Sequence, residues 1–379
     1  MTHTPAVCLF LLGGVYSYRI LFKEGNVTKR VCVVKGDDAS PEVVLPTVEV
    51  IDGMKLGIEF VPTAVNNEAM AKFGEIFPAA TKKAIDEADC SLMGSTRTLG
   101  GVHGYLRWGK WCYANVRPTR YVDGLRSPLK KPEGIDFIIL RENLEGLYPG
   151  YEGDISLLAP LNLYNEMLGT HLDAKKKGKF AVKLTTEEET KLICEYACKV
   201  ALERKARGGK GKVTAACKYN VLTQSDEMFR RITEETVKKY PGLVFEQVII
   251  DNFCQQMIIN PQRYDVVVMS NEHGDILADG AAGLIGGLGI APNACIGKDY
   301  AYFGSVHGTA PDIVGMNIIN PTAMMLSGCM MLEYLGFKEA ASRLENAIYA
   351  VYREGKHLTR DQGGKATTSE FVKTVKAKL

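Results

Sequence analysis

Val266-Val-Val-Met269, then Asn271-Glu-His-Gly-Asp275-Ile-Leu-Ala-Asp279, reads as a buried strand that turns into a helix. On that helix Asp275 and Asp279 stand four residues apart and share one face. Two carboxylates one turn apart repel unless a cation lies between them, which points to a hard divalent metal held by oxygen ligands. A solvated first turn, its acids favoured by the helix dipole, would carry the same pair. The spacing by itself leaves both readings open.

The strand-then-helix unit recurs along the chain. Arg30-Val-Cys-Val-Val-Lys-Gly36 is a short apolar strand running into a Gly-Asp-Asp turn, and Pro41-Glu42 opens a helix with Val43, Val44, Val48 and Ile51 inward. Ile58 to Val61 and Cys90 to Met93 read as strands around a helix from Ala79 to Ala88, and Ile135 to Leu140 as a further buried strand. Thr186-x-x-Glu189 forms a capping box before apolar residues at 192, 193, 196, 197, 200 and 201, which predicts a helix. Val213 to Ala216 and Val244 to Ile250 are strands flanking a helix over Ser225 to Lys239. Thr322 to Leu335 begins a C-terminal helical region that continues through about Tyr352. This alternation predicts an α/β fold with an open sheet of buried parallel strands. Gly283-Leu-Ile-Gly-Gly-Leu-Gly289 sits within or at the end of a helix, not directly after a strand. It therefore reads as close helix packing and a cap, not as a GxGxxG dinucleotide loop.

The 379 residues suffice for two domains or one large α/β unit. Hydrophobic residues at 46% and charged residues at 24% are ordinary for a soluble enzyme. A net charge of +2 leaves no basic stripe, so no nucleic-acid partner is expected, and the basic runs at 175–177 and 205–212 read as solvated loops. The ten cysteines are scattered without a C-x-x-C pair and the six histidines form no zinc pattern, as expected of reduced thiols in a cytoplasmic protein. Ala6 to Tyr18 is uncharged and resembles the middle of a signal peptide, but no basic residue precedes it. It is also too short to span a bilayer, so no membrane contact is expected and residues 1–29 read as an N-terminal extension.

Several segments carry groups suited to chemistry. Arg107, Asn115-Val-Arg117-Pro-Thr-Arg120 and Arg141-Glu-Asn143-Leu-Glu-Gly-Leu-Tyr148 place arginines near strand ends, where together they suit a multi-carboxylate acid. Lys218-Tyr-Asn220 follows a buried strand, so Lys218 is either a desolvated base or a surface lysine. Asp251, after Val248-Ile-Ile250, is a third acid to join Asp275 and Asp279. His307-Gly-Thr-Ala-Pro-Asp312, then Asn320-Pro-Thr, is a loop able to wrap a nucleotide.

Read in order, R-P-x-R, R-E-N-x-E-G-x-Y, K-x-N, N-x-x-G-D-I-x-x-D and H-G-T-A-P-D-I resemble the signature set of the isocitrate/isopropylmalate dehydrogenase family, from about Arg30 to Leu379. The resemblance implies two α/β domains with the active site in the cleft between them, one over 30–112 with 286–379 and one over 113–285. It implies that Arg107, Arg117 and Arg141 bind the carboxylates of a 2-hydroxy acid, and that Asp251, Asp275 and Asp279 hold Mg²⁺ or Mn²⁺. Tyr148 and Lys218 would be the proton-transfer groups, with Lys218 and Asp251 supplied by a neighbouring subunit, so a homodimer or higher oligomer is implied. The cofactor side would comprise Asn271, His307, Gly308, Thr309, Ala310, Asp312 and Asn320. Asp312 would accept from the adenosine ribose and repel a 2′-phosphate, favouring NAD over NADP.

Three places depart from the family's pattern. Gly101 and His103 stand where isocitrate enzymes carry Ser and Asn, so His103 either binds a substrate carboxylate or caps a helix. Gly304 stands where an acid is usual, and Asp38-Ala-Ser40 replaces a glycine-rich turn. Isocitrate is the leading substrate, with 3-isopropylmalate, homoisocitrate and malate- or tartrate-like acids as alternatives. A non-catalytic regulatory subunit is a reading of a different class, and the presence of Tyr148, Lys218 and all three aspartates argues against it.

Overall fold

A computed structural model describes residues 28–98 and 100–379. The expectation of an N-terminal extension therefore falls, for residues 1–27, outside the described residues. Short segments rich in β-branched residues form the strands β1 (Lys29–Val34), β2 (Ile58–Thr63), β3 (Cys90–Met93), β4 (Ala114–Arg120) and β5 (Asp136–Glu142). An excursion carries β6 (Glu152–Asp154), β7 (Tyr164–Asn165), β8 (Thr170–His171) and β9 (Lys179–Ala181), which pair as β6–β9 and β7–β8. The chain then returns through β10 (Lys212–Cys217), β11 (Val244–Ile249), β12 (Val266–Met269), β13 (Pro292–Ile296) and β14 (Ala301–Ser305).

Ten strands make one sheet in the order β11-β10-β12-β5-β4-β13-β14-β3-β1-β2. β2, β1, β3 and β14 are parallel, and so are β5, β12, β10 and β11. Antiparallel steps β14–β13, β13–β4 and β4–β5 join the two blocks. The mostly parallel α/β sheet is thus as expected. The two chain regions read from the sequence share it and meet where β4 pairs with β13. Helices cover both faces, which is why β3 and β12 are buried throughout and read as unbroken apolar runs. The Thr322–Tyr334 helix is buried nearly all round and packs on β13 and β14.

Local differences from expectation have physical causes. Thr186 accepts from the Glu189 amide at 3.3 Å, but its own amide donates to Glu145 Oε2 at 2.7 Å, so only half of the capping box forms. The other half anchors the loop after β5. The strand expected to reach Ile250 stops at Ile249, and a helix over Ile250–Ile259 follows with Asp251 in its first turn. β4, β13 and β14 were not anticipated, because the apolar runs are short and polar residues interrupt them. The helix Asn271–Leu284 ends before Gly286, where φ is +120° and a Cβ would lie 2.7 Å from the Arg126 carbonyl, so the glycine run serves packing as expected.

Candidate active site

The helix that follows β12 brings Asp275 and Asp279 against β4 and β5. Gly274 permits the approach, since a Cβ there would lie 2.6 Å from Arg141 Cβ. Arg117 donates Nη1 to Asp279 Oδ1 at 3.2 Å and Nη2 to Asp275 Oδ1 at 3.3 Å. Arg141 Nη1 also pairs with Asp275 Oδ1, and the Tyr148 hydroxyl donates to Asp275 Oδ2 at 2.5 Å. Burial alone would raise the Asp275 carboxyl, but Arg141, the Tyr148 hydrogen bond and Arg117 hold it below its ordinary value. For Asp279 burial outweighs Arg117, and the neighbouring Asp275 charge adds to a net rise. Burial and the bond to Asp275 push Tyr148 up to about 12, so its phenol keeps its proton at neutral pH.

Asn271 requires a correction. Expected on the cofactor side, it is fully buried and accepts from Arg141 Nε at 2.9 Å and Nη2 at 2.6 Å, while its amide donates to the Glu145 carbonyl at 2.9 Å. Its side-chain oxygen holds Arg141 and its amide nitrogen holds the loop at Glu145. Asn115 does the same for Arg117, accepting from its Nε at 2.8 Å.

Arg107 sits in a π-type turn over Tyr105–Gly109, almost fully buried, with its guanidinium 5.4 Å from the Trp108 ring and 5.6 Å from the Tyr148 ring. Its Nε and Nη1 have no hydrogen-bond partner, and none of the ion pairs among the described residues involves it. A buried cation without an acid is costly and suits an anionic ligand. Arg107, Arg117 and His103 line one cavity of about 210 Å³. Burial, then the charges of Arg107 and Arg141, lower His103 to about 4, so it enters that cavity as a neutral ring.

Among the described residues no hydrogen bond or ion pair joins Lys218 or Asp251 to this cluster. Lys218 Nζ is ion-paired with Asp251 Oδ2, and the Lys218 amide donates to Asp226 Oδ2 at 2.7 Å. Lys218 is therefore neither a fully desolvated lysine nor a free surface one. Among the described residues no three His, Cys, Asp or Glu side chains gather as a metal site. Asp275 and Asp279 nonetheless fit a hard cation, being oxygen donors on one helical face, with Arg117, Arg141 and Tyr148 bonded to them in this structure.

On the other side of the sheet ends, His307, Gly308, Ala310 and Asn320 line a second cavity of about 480 Å³. His307 Nδ1 contacts the Gly308 carbonyl at 2.9 Å, while Nε2 is buried without a partner. Thr309 accepts from the Ala39 amide at 3.0 Å through its carbonyl, tying this loop to the Asp38-Ala-Ser40 turn. Asn320 bonds Asp361 Oδ2 at 2.9 Å and accepts from the Thr322 amide at 3.0 Å. Asp312 stands in an exposed turn over Pro311–Ile313, and its neighbours Ala310 and Ile313 line the cavity while it does not. Arg360, Asp361 and Gly289 line it too, and the sequence reading missed all three. The turn residues Arg360-Asp-Gln-Gly-Gly364 were the available signal for the first two.

Residues 30–375 match the model of the isocitrate/isopropylmalate dehydrogenase family. The 3-isopropylmalate/3-methylmalate dehydrogenase of Methanocaldococcus jannaschii is 38% identical over 347 residues, 91% of this chain and 97% of the relative. A probable mitochondrial NAD isocitrate dehydrogenase subunit alpha of Drosophila melanogaster is 35% identical, covering 93% of this chain and 88% of the relative. The solved isocitrate dehydrogenase from Methylococcus capsulatus superposes with a TM-score of 0.78 at 32% identity, covering 92% of this chain and 99% of that one. The chain belongs to the isocitrate/isopropylmalate dehydrogenase family. It is an oxidoreductase of the decarboxylating dehydrogenase type, and among its described residues no helix is long and apolar enough to cross a membrane.

Within this family member, Gly304 is dictated by packing. A Cβ there would lie 2.3 Å from the Met93 carbonyl, so the β14–β3 contact leaves no space for the usual acid. The neutral His103 carries a pH consequence. Its folded pKa of about 4 is below the unfolded value near 6.5, so the unfolded chain takes up a proton first as pH falls, and stability drops between those limits. His103→Gln is expected to remove about one proton's slope from the pH dependence of unfolding free energy between about pH 6.5 and 4. Parallel slopes for the two proteins, measured by urea denaturation, would refute the half-buried neutral ring.

Proposed function

We propose that the chain catalyses the NAD- and divalent-metal-dependent oxidative decarboxylation of a 2-hydroxy-3-carboxy acid, with isocitrate to 2-oxoglutarate the first choice. The observation that carries this reading is the convergence of Arg107, Arg117 and Arg141, one of them without an acid partner, on the helix bearing Asp275 and Asp279. The relatives' names include both isocitrate and 3-isopropylmalate dehydrogenases. Polar walls favour the former, since His103, Asn115, Asn293 and Tyr302 line the arginine cavity where an isopropyl group would need aliphatic contacts.

Each group on the chain has a part suited to its state. The arginines receive the carboxylates. Lys218 accepts the hydroxyl proton as the C2 hydride leaves for the nicotinamide, giving a β-keto acid. The bond from C3 to its carboxylate then breaks, CO₂ departs, and the electron pair stays as an enolate. Tyr148, still protonated at neutral pH, gives its proton to C3. Asp275, Asp279 and Asp251 would hold a divalent cation, which would supply Lewis-acid charge when bound. Tyr148, Lys218 and the three aspartates are all present, which supports turnover over a purely regulatory role. The two regions, 30–112 with 286–379 and 113–285, close on the substrate about the β4–β13 seam.

Lys218 and Asp251 pair with each other and make no bond to Asp275 within one chain, and the active unit is a homodimer in which each site takes this pair from the other copy. Ile258, Ile259 and Ile276 are exposed on the two helices that bear Asp251 and Asp275. Leu157, Met167 and Leu168 are exposed on the excursion between β6 and β9. Apolar surface of this extent suits burial against a second copy.

Turnover with NAD and Mn²⁺ on isocitrate, 3-isopropylmalate, homoisocitrate, malate and tartrate is expected to be fastest with isocitrate. No activity on any of them would sink the catalytic reading, and activity with NADP but not NAD would refute the cofactor. The shared site has its own test. Lys218→Met and Asp275→Asn chains, each inactive alone, should recover about a quarter of wild-type activity when refolded together, since half the dimers are mixed and each keeps one intact site. No recovery from a mixture shown to contain heterodimers would place both residues in one chain's site.

A further inference from the structure

Three neighbouring strands turn one polar face to the substrate cavity. Cys295 of β13 is in register with Asn115 of β4 on one side and Tyr302 of β14 on the other, and Asn115 Nδ2 donates to Cys295 Sγ at 3.3 Å. Two residues further along β14, on the same face, stands Gly304, where the Met93 carbonyl forbids a side chain. Tyr302 is thus the side chain that β14 offers to the cavity near Arg107. Its phenol lies beside the Arg107 guanidinium and the Cys295 thiol. The His103 ring packs edge-on against the Tyr302 ring, 6.3 Å between centroids.

The bonding at this end of the cavity is incomplete. The Tyr302 hydroxyl is buried and has no hydrogen-bond partner, and the same holds for Arg107 Nε and Nη1. Arg107 Nε and Nη1 can only donate and the Tyr302 hydroxyl has a proton to give, so an added acceptor satisfies all three. His103, being neutral, leaves Arg107 as the fixed charge at this end, which calls for an anionic acceptor.

Resting on the proposed function and deepening it, we propose that Tyr302 determines substrate specificity, its phenol hydroxyl sharing with Arg107 the binding of one substrate carboxylate and its ring closing the cavity to branched aliphatic substituents. A charged hydrogen bond of this kind is exchanged for nothing when the hydroxyl is deleted, because the unliganded protein leaves that hydroxyl unpaired. This separates a binding role from a structural one. Deleting a structural hydroxyl lowers stability, whereas deleting an idle one does not.

The test uses the full chain and Tyr302→Phe, titrated calorimetrically with isocitrate, 3-isopropylmalate and malate in the presence of Mn²⁺ and without NAD. Tyr302→Phe should bind the acid that wild type holds most tightly at least about tenfold more weakly, equivalent to about 1.4 kcal/mol, with no fall in its urea midpoint. Tyr302→Leu should in addition narrow the gap between isocitrate and 3-isopropylmalate. Affinity of Tyr302→Phe within twofold of wild type, or a lowered midpoint that accounts for the loss, would overturn the assignment. If wild type binds isocitrate without turning it over, the proposed reaction fails while the affinity ratio still decides the role of Tyr302. If wild type binds none of the three acids, both fall.

Discussion

The site depends on one carboxylate. Asp275 takes donors from Arg117, Arg141 and Tyr148 at once, with Arg141 almost wholly removed from solvent. Buried charges persist only when paired and hydrogen-bonded, and breaking one member leaves the others stranded. The knot therefore fixes the relative positions of β4, β5 and the helix after β12, and it holds the Tyr148 hydroxyl against the same acid. Asn115 and Asn271 serve as struts for the two arginines. The same concentration of positive charge keeps Asp275 ionised despite its burial. An ionised carboxylate hemmed by arginines is prepared for ligands that satisfy both signs, a cation for the acid and a polycarboxylate for the bases.

The sheet explains why these groups meet. Two parallel blocks of opposite direction are joined by antiparallel strands, and the joining strands β4, β13 and β14 form the cavity floor. Parallel blocks carry the buried core, while the antiparallel insert presents polar residues on one face. Close approach is enforced by glycines at particular contacts. Gly274 lets the helix reach Arg141, and Gly304 lets β14 pack on β3 at the expense of the acid seen elsewhere in the family.

Features encoded locally were legible from the chain alone. The strand-to-helix turn before Asp275, the helix after Pro41 and the buried strand leading to Arg141 follow from periodicity and turn residues within short windows. Features set by distant partners were not. Asn271 begins the helix as expected, but that its oxygen accepts from Arg141, remote in sequence, could not be read from the local window. Tyr302, Cys295 and Asn293 gain meaning only from the register of β13 between β4 and β14, strands whose apolar runs are broken by polar residues or glycine. Asp312 shows the converse case, a motif acid whose neighbours line the cavity of about 480 Å³ while Asp361, outside the motif, lines it directly. The half-formed capping box at Thr186 was also undone by a partner from elsewhere, Glu145.

If the Asp275 knot is a metal and acid site and not merely a structural ion cluster, its carboxylate must bind cation. The direct measurement is Mn²⁺ affinity of the folded wild-type chain and of Asp275→Asn, read by calorimetry with isocitrate present. The account predicts a loss of at least about tenfold in the variant, since one hard oxygen ligand and one unit of charge are removed while shape is kept. Equal Mn²⁺ affinity in the two proteins would contradict it and leave Asp275 as an anchor for two arginines and nothing more.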